Sequence, residues 1–192
     1  MTTAELILTV RTITHENIDA INQHVRKLNS EQLNWRPNPG VWSVADTLAH
    51  LNEFSRYYHS AFVKKIENTR FVSTKEAFMS SPLGRSAWKS MKLGNAKNVK
   101  RKFKAAKGYN PTIDPSLVTG NEYSQFIDYQ EELISIFKQA EGVNIKRVKI
   151  PISMSKIVRL RLGDALLYVV FHNQRHVEQV VKLVRHINFP KK

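Results

Sequence analysis

Four stretches of this chain repeat apolar residues at three- and four-residue steps, and residues that a helix interior rejects lie between them. In the first stretch Leu6, Val10, Ile13, Asn17, Ile21, Val25 and Leu28 share one stripe, which predicts a helix over about residues 3–28. Residues 29–42 follow with Pro37, Pro39 and Gly40, and cannot continue it, because proline lacks an amide donor and clashes with the preceding turn. Ser43 then stands at an N-cap position with Asp46 three residues on, opening a second helix over about 44–66 with Leu48, Leu51, Phe54, Tyr58 and Phe62 on its apolar face. A third helix is expected over about 115–141, stopped by Gly142, and a last one over about 164–187, ended by Pro190. Charged and β-branched residues alternate around Lys146–Ile152, which suggests a strand or short hairpin before the last helix. Four amphipathic helices with one longer excursion predict an all-α chain, a four-helix bundle, and both a meander and an up-down-down-up order fit the long connection.

The excursion is where the charge sits. The formal charge is +14, and residues 77–113 contain no Asp or Glu while carrying Arg85, Lys89, Lys92, Lys97, Lys100, Arg101, Lys102, Lys104 and Lys107. Pro82, Gly84, Gly94, Gly108 and Pro111 break this stretch up, leaving a short helix expected near 95–106. Phe78, Trp88, Phe103 and Tyr109 interleave with the cations, so one reading of 77–113 is a nucleic-acid-binding segment in which lysines neutralise phosphates and aromatics stack on bases. The plainer reading is a solvated basic loop. No run of about 20 apolar residues is present to span a membrane. The start of the chain holds Glu5 and has no basic segment leading into an apolar one, so a cytoplasmic protein is expected. Cysteine is absent, which excludes disulfides, thiolate nucleophiles and Cys-based metal sites.

The last helix carries His172 and His176, four residues apart and therefore on one face, with Cβ atoms about 6 Å apart. Ala165, Val169, Val180 and Leu183 lie near the same stripe, so two imidazoles replace apolar residues on an inward face. Burying them is costly unless their nitrogens are bonded, and two at this spacing can converge on one ion. Asn173 follows the first histidine where the zinc-protease motif has Glu, so that mechanism is not indicated. A third ligand must come from another element, and His50, one turn before Phe54 on the second helix, is the best candidate. Asp46 reads first as a helix cap and second as a carboxylate orienting His50. Glu53, Glu178 and Asn173 are weaker orienting candidates. His24 reads as a core or interface residue, His15, His59 and His186 as surface residues, and Trp35 and Trp42 as packing anchors of the turn.

The blocks Trp35-Arg36-Pro37-Asn38-Pro39-Gly40-Val41-Trp42-Ser43-Val44, His50-Leu51 and His172-Asn173-Gln174-Arg175-His176 with Gln179 together resemble the DinB-like (YfiT-like) metalloenzyme superfamily. The resemblance spans both motif blocks in order, and it implies an up-down-down-up four-helix bundle, frequently dimeric, with a metal on three histidines. By motif position those are His50, His172 and His176. The expected architecture is then one domain over 1–192 with a basic connecting segment at about 67–114, larger than in typical members and bearing on the mouth of the site. The resemblance further implies thiol-dependent transfer chemistry, a low-molecular-weight thiol as partner and a homodimer. Three nitrogen ligands suit zinc first, with nickel or ferrous iron as alternatives, and an open position on the ion would activate a thiol or a water, as in a transferase or a hydrolase. The remaining alternative is a bundle that binds metal or ligand without turnover.

Overall fold

A computed structural model describes residues 1–73, 77–99 and 103–191, with main chain only at 156. Its elements are α1 (Thr3–Val25), α2 (Ser30–Asn34), α3 (Val44–Glu67), α4 (Pro82–Met91), α5 (Glu122–Ala140), strands β1 (Lys149–Ile152) and β2 (Ser155–Arg161), and α6 (Leu162–Val184). The helix starts follow from their caps. Thr2 Oγ1 accepts from Glu5 N–H while Glu5 Oε2 accepts from Thr2 N–H, and Ser43 and Asp46 make the same reciprocal pair at α3. Residues 29–42 hold one short helical turn, α2, before the prolines end it.

Two expected boundaries differ. The helix of the basic segment is α4, which starts at Pro82, a residue suited to a first helical position, with Ser81 as its cap. Residues 95–99 and 103–106 are not helical, and 100–102 lie outside the described residues. The third long helix starts at Glu122 rather than near Pro115, because Pro115–Leu117 forms only a 3-10 turn and Gly120 takes a left-handed φ of 89° that breaks the run. The buried Glu122 carboxylate accepts from Thr119 and Gly120 N–H and closes that turn.

Pairwise contacts give the helix directions. Asn52 meets Glu122, Arg56 meets Tyr129 and His59 meets Glu132, each seventy or so residues apart in the same sense, so α3 and α5 run parallel. Arg11 pairs with Glu141 and Asn22 with Tyr123, so α1 runs antiparallel to α5. Phe54 packs on Tyr168 and His50 on His176, so α3 and α6 are antiparallel. The order is up-down-down-up, with α1 and α3 each packed on both α5 and α6. The expected hairpin is present: β1 and β2 pair antiparallel with Ile150 opposite Leu160, both buried. It feeds straight into α6, whose first amides donate to strand-side carbonyls, Leu162 N–H to Val148 O and Gly163 N–H to Ile145 O.

The apolar interior divides in two. One part gathers Leu6, Val10, Phe54, Tyr58, Leu133, Phe137 and Leu166; the other gathers Ile21, Val25, Leu48, Leu51, Phe126 and Val180. Along the chain, buried polar residues separate them: Thr14 and Asn17 on α1, His50 and Asn52 on α3, Gln130 on α5, and His172 and Asn173 on α6. The site occupies this layer.

Candidate metal centre

His50 lies two turns into α3, and His172 and His176 lie mid-way along the antiparallel α6, so the two helices bring the rings face to face. His50 and His172 are buried and His176 is partly so. One candidate ligand nitrogen from each lies within 4.8 Å of the others, and among the described residues this is the cluster able to hold a metal ion. The structure therefore brings together all three histidines that the sequence selects.

The hydrogen bonds fix which nitrogens face inward. Tyr109 O lies 2.6 Å from His50 Nδ1, and a carbonyl only accepts, so His50 carries its proton on Nδ1 and leaves Nε2 as a lone pair. Gln179 Oε1, 3.1 Å from His176 Nδ1, does the same for that ring. His50 Nε2 and His172 Nε2 are 3.2 Å apart. Two nitrogens about 2.0–2.1 Å from a tetrahedral ion lie about 3.3 Å apart, so this edge already has ligand spacing. His172 Nδ1 is buried without a protein partner.

All three rings are held neutral. Burial pushes His50 down to about 4 against a smaller opposing pull from the Tyr109 carbonyl. His172 lies well below the usual imidazole range, chiefly through burial and then through His176, His50 and Arg175. His176 is depressed by burial first and by His50, with Gln179 opposing and Arg175 adding. A neutral imidazole is the form that binds a metal, so no proton has to leave these rings near neutral pH. With its proton on Nδ1, His50 can only accept at Nε2, so in this geometry His172 Nε2–H donates to it and leaves His172 Nδ1 unpaired. Moving the His172 proton to Nδ1 would free both Nε2 lone pairs for a cation, and the donor set fits a divalent ion.

Aromatic walls hold the rings. Phe54 stacks on His172 with centroids 4.0 Å apart, and Trp42 lies over His176 at 6.1 Å and beside His50 at 5.0 Å. Trp42 Nε1–H donates to Thr112 Oγ1. The basic connection thus supplies Tyr109 and Thr112 to the site, which no motif announces because one acts through a main-chain carbonyl. Trp42 is a packing anchor, as expected, but what it packs on is the histidine cluster. Trp35 packs away from the site on His186 and Phe189.

The remaining candidates do not join the centre. Asp46 caps α3 and accepts a two-pronged hydrogen bond from Arg36 rather than orienting His50. Asn173 donates to Gln130. Glu53 pairs with Arg56 and Glu178 with Lys182. His24, half-exposed on α1, meets Arg185 near the end of α6. His15 and His186 are exposed. His59 corrects the expectation of a surface residue: it is buried, with Nδ1 2.8 Å from Glu132 Oε2, because α3 packs on α5 as well as α6 and buries a second stripe.

Residues 13–180 match the sequence profile of the DinB superfamily. No curated protein and no solved structure matches the chain.

Proposed function

The chain belongs to the DinB superfamily, and from that premise we propose that it is a metal-dependent enzyme that holds one divalent ion through His50, His172 and His176 and acts on a thiol or a water. The observation that carries this reading is the convergence of three neutral imidazoles within 4.8 Å. A zinc, nickel or ferrous ion held by these residues would supply Lewis acidity, lowering the pKa of a thiol or a water. Zinc is the first choice, since three nitrogen donors suit it well.

The chain's own residues contribute position and exclusion. Tyr109 O and Gln179 Oε1 hold two of the rings in the tautomer that turns Nε2 inward. Phe54 and Trp42 fix ring planes by stacking and keep water from the backs of the imidazoles. Among the described residues no carboxylate belongs to the cluster, so the ligand set itself offers no general base for a proton leaving a thiol or water. That suits a low-molecular-weight thiol, whose own acidity needs only modest help, and it supports a transferase joining that thiol to an electrophile ahead of a hydrolase.

Elemental analysis of freshly purified protein, beside a variant with all three histidines replaced by alanine, tests the metal. About one divalent ion per chain in the former and none in the latter is expected. Adding that ion to chelator-treated protein should then restore conjugation of a small thiol to an electrophilic probe. A rate no greater than that of the triple variant refutes the transferase reading, and ester hydrolysis without conjugation would replace it with the hydrolase.

A further inference from the structure

The basic connection is not the chain's only acid-free stretch. Residues 142–163 also contain no Asp or Glu and carry Lys146, Arg147, Lys149, Lys156, Arg159 and Arg161. The two acid-free stretches meet, since α4 packs on β2 and α6, and the Arg161 guanidinium donates to Met79 O just before α4. Asp164, beneath Gly84 of α4, is buried and accepts from Ser81 N–H and Oγ–H, so it adds no charge to the surface. Exposed acids sit elsewhere, Glu16 and Asp19 on α1 and Asp128 and Glu131 on α5 among them.

Strand alternation decides what this side presents. Ile150 and Leu160 turn inward and are buried. The opposite face of the hairpin therefore carries Lys149, Pro151, Arg159 and Arg161, and Ile157 stands in the irregular stretch of β2 beyond the register shift at Pro151 and Ile152. Ile157 is 90% exposed and Met154, at the hairpin tip, is 68% exposed; Met79 and Leu83, beside the foot of the hairpin, are 62% and 53% exposed. Other large apolar side chains are exposed elsewhere, Leu8 and Ile187 among them, but here four stand close to a run of cations. A hollow of about 440 Å³ lined by Ser80, Pro82, Arg85, Ser86 and Lys89 adds two cations and two hydroxyls beside them.

We propose that the outer face of the β1–β2 hairpin, with the start of α4, is a docking surface for a bilayer rich in anionic phospholipid, to which the protein attaches peripherally. Cations draw such a surface from solution and apolar tips then enter the headgroup boundary, the two-signal arrangement that peripheral attachment needs. No helix among the described residues is long and apolar enough to cross a membrane. The charge alone would serve a nucleic acid equally. The apolar residues of this face decide between them, because Met79, Leu83, Met154 and Ile157 offer no ring to stack on a base. This surface is separate from the histidine layer and its occupancy does not depend on a metal.

The test is flotation of the full chain with vesicles of phosphatidylcholine alone, and of equal parts phosphatidylcholine and phosphatidylserine, at physiological ionic strength. Binding is expected only to the second. The double variant K149Q/R159Q should lose partitioning by on the order of thirtyfold, and Ile157→Ser by about tenfold. Both variants should keep the parent's melting temperature and metal content, since Lys149, Arg159 and Ile157 are exposed. Three results would each overturn the proposal: no flotation with the anionic vesicles, binding that survives both variants, or binding to a DNA or RNA duplex that exceeds vesicle binding and is indifferent to Ile157→Ser.

Discussion

Acidifying the metal-free protein tests whether the three imidazoles are buried and neutral. His50 is the best-defined case, an imidazole that titrates near 6.5 when unfolded and at about 4 in the fold, chiefly through burial. A folded-state value below the unfolded one means the unfolded chain takes up the proton first. Stability is therefore undiminished above pH 6.5 and falls as the pH drops from there toward 4. At about pH 5 this one ring favours unfolding by about 2 kcal/mol relative to pH 7.5, approaching about 3 kcal/mol once the pH passes below its folded value. His172, His176 and the buried His59 are shifted in the same direction and steepen the fall. For a chain of this size, about 2 kcal/mol corresponds to a drop of about 4–8 °C in melting temperature. The assay is urea unfolding of chelator-treated protein at several pH values between 7.5 and 5, beside His50→Gln, which retains a donor for Tyr109 O but does not titrate. The variant should lose about 2 kcal/mol of the pH dependence. A flat parent profile over that range, or a variant as acid-sensitive as the parent, would show that His50 is solvated, and the ligand geometry would go with it.

Three further outcomes follow from single contacts. Gln179→Ala removes the acceptor on His176 Nδ1 and should weaken zinc binding by about 10–100-fold in a chelator competition, with little change in metal-free stability. Gly84→Ala would place a methyl group 2.0 Å from Asp164 Oδ2, so α4 must lift off α6; a loss of about 2–3 kcal/mol in urea unfolding is expected. Asp46→Ala removes the acceptor of Ser43 N–H, half of the α3 capping box, and leaves the Arg36 guanidinium without its two-pronged partner, and should cost about 2 kcal/mol by thermal unfolding, while Asp46→Asn keeps an acceptor and recovers part of the loss.

The long helices were legible because each carries an apolar stripe of one period, and α1 and α3 also carry their own start signals. Ser43 with Asp46 fixes the first residue of α3 without reference to any other element. Sequence fails where a tertiary partner sets the boundary. Leu162 has no side-chain cap, and α6 begins there only because Val148 and Ile145 offer carbonyls from the hairpin side. The misplaced helix of the basic segment has the same origin. Residues 95–106 have unbroken helical composition, but α4 has a proline at its first position, a serine cap and an apolar seat on α6, with Trp88 against Phe171. Packing outweighs propensity in a helix of ten residues.

His172 and His176 declare themselves by spacing, whereas His50 is tied to them by a family pattern and by the antiparallel packing of α3 on α6, which spacing cannot show. What supports those rings was hidden for a more general reason. Tyr109 acts through its carbonyl, which every residue possesses, and Trp42 through the position of its ring, which a stretch of prolines and a glycine sets. His59 was misjudged because a single-stripe reading allots α3 one buried face, while a helix wedged between α5 and α6 buries two. The errors therefore concentrate where one element serves two neighbours. The basic connection is the strongest example: its far end orients His50 and meets Trp42, while its near end joins the hairpin through Met79 and Arg161. A segment read from composition alone as a solvated loop is fastened at both ends of its described residues, to the histidine layer and to the basic face.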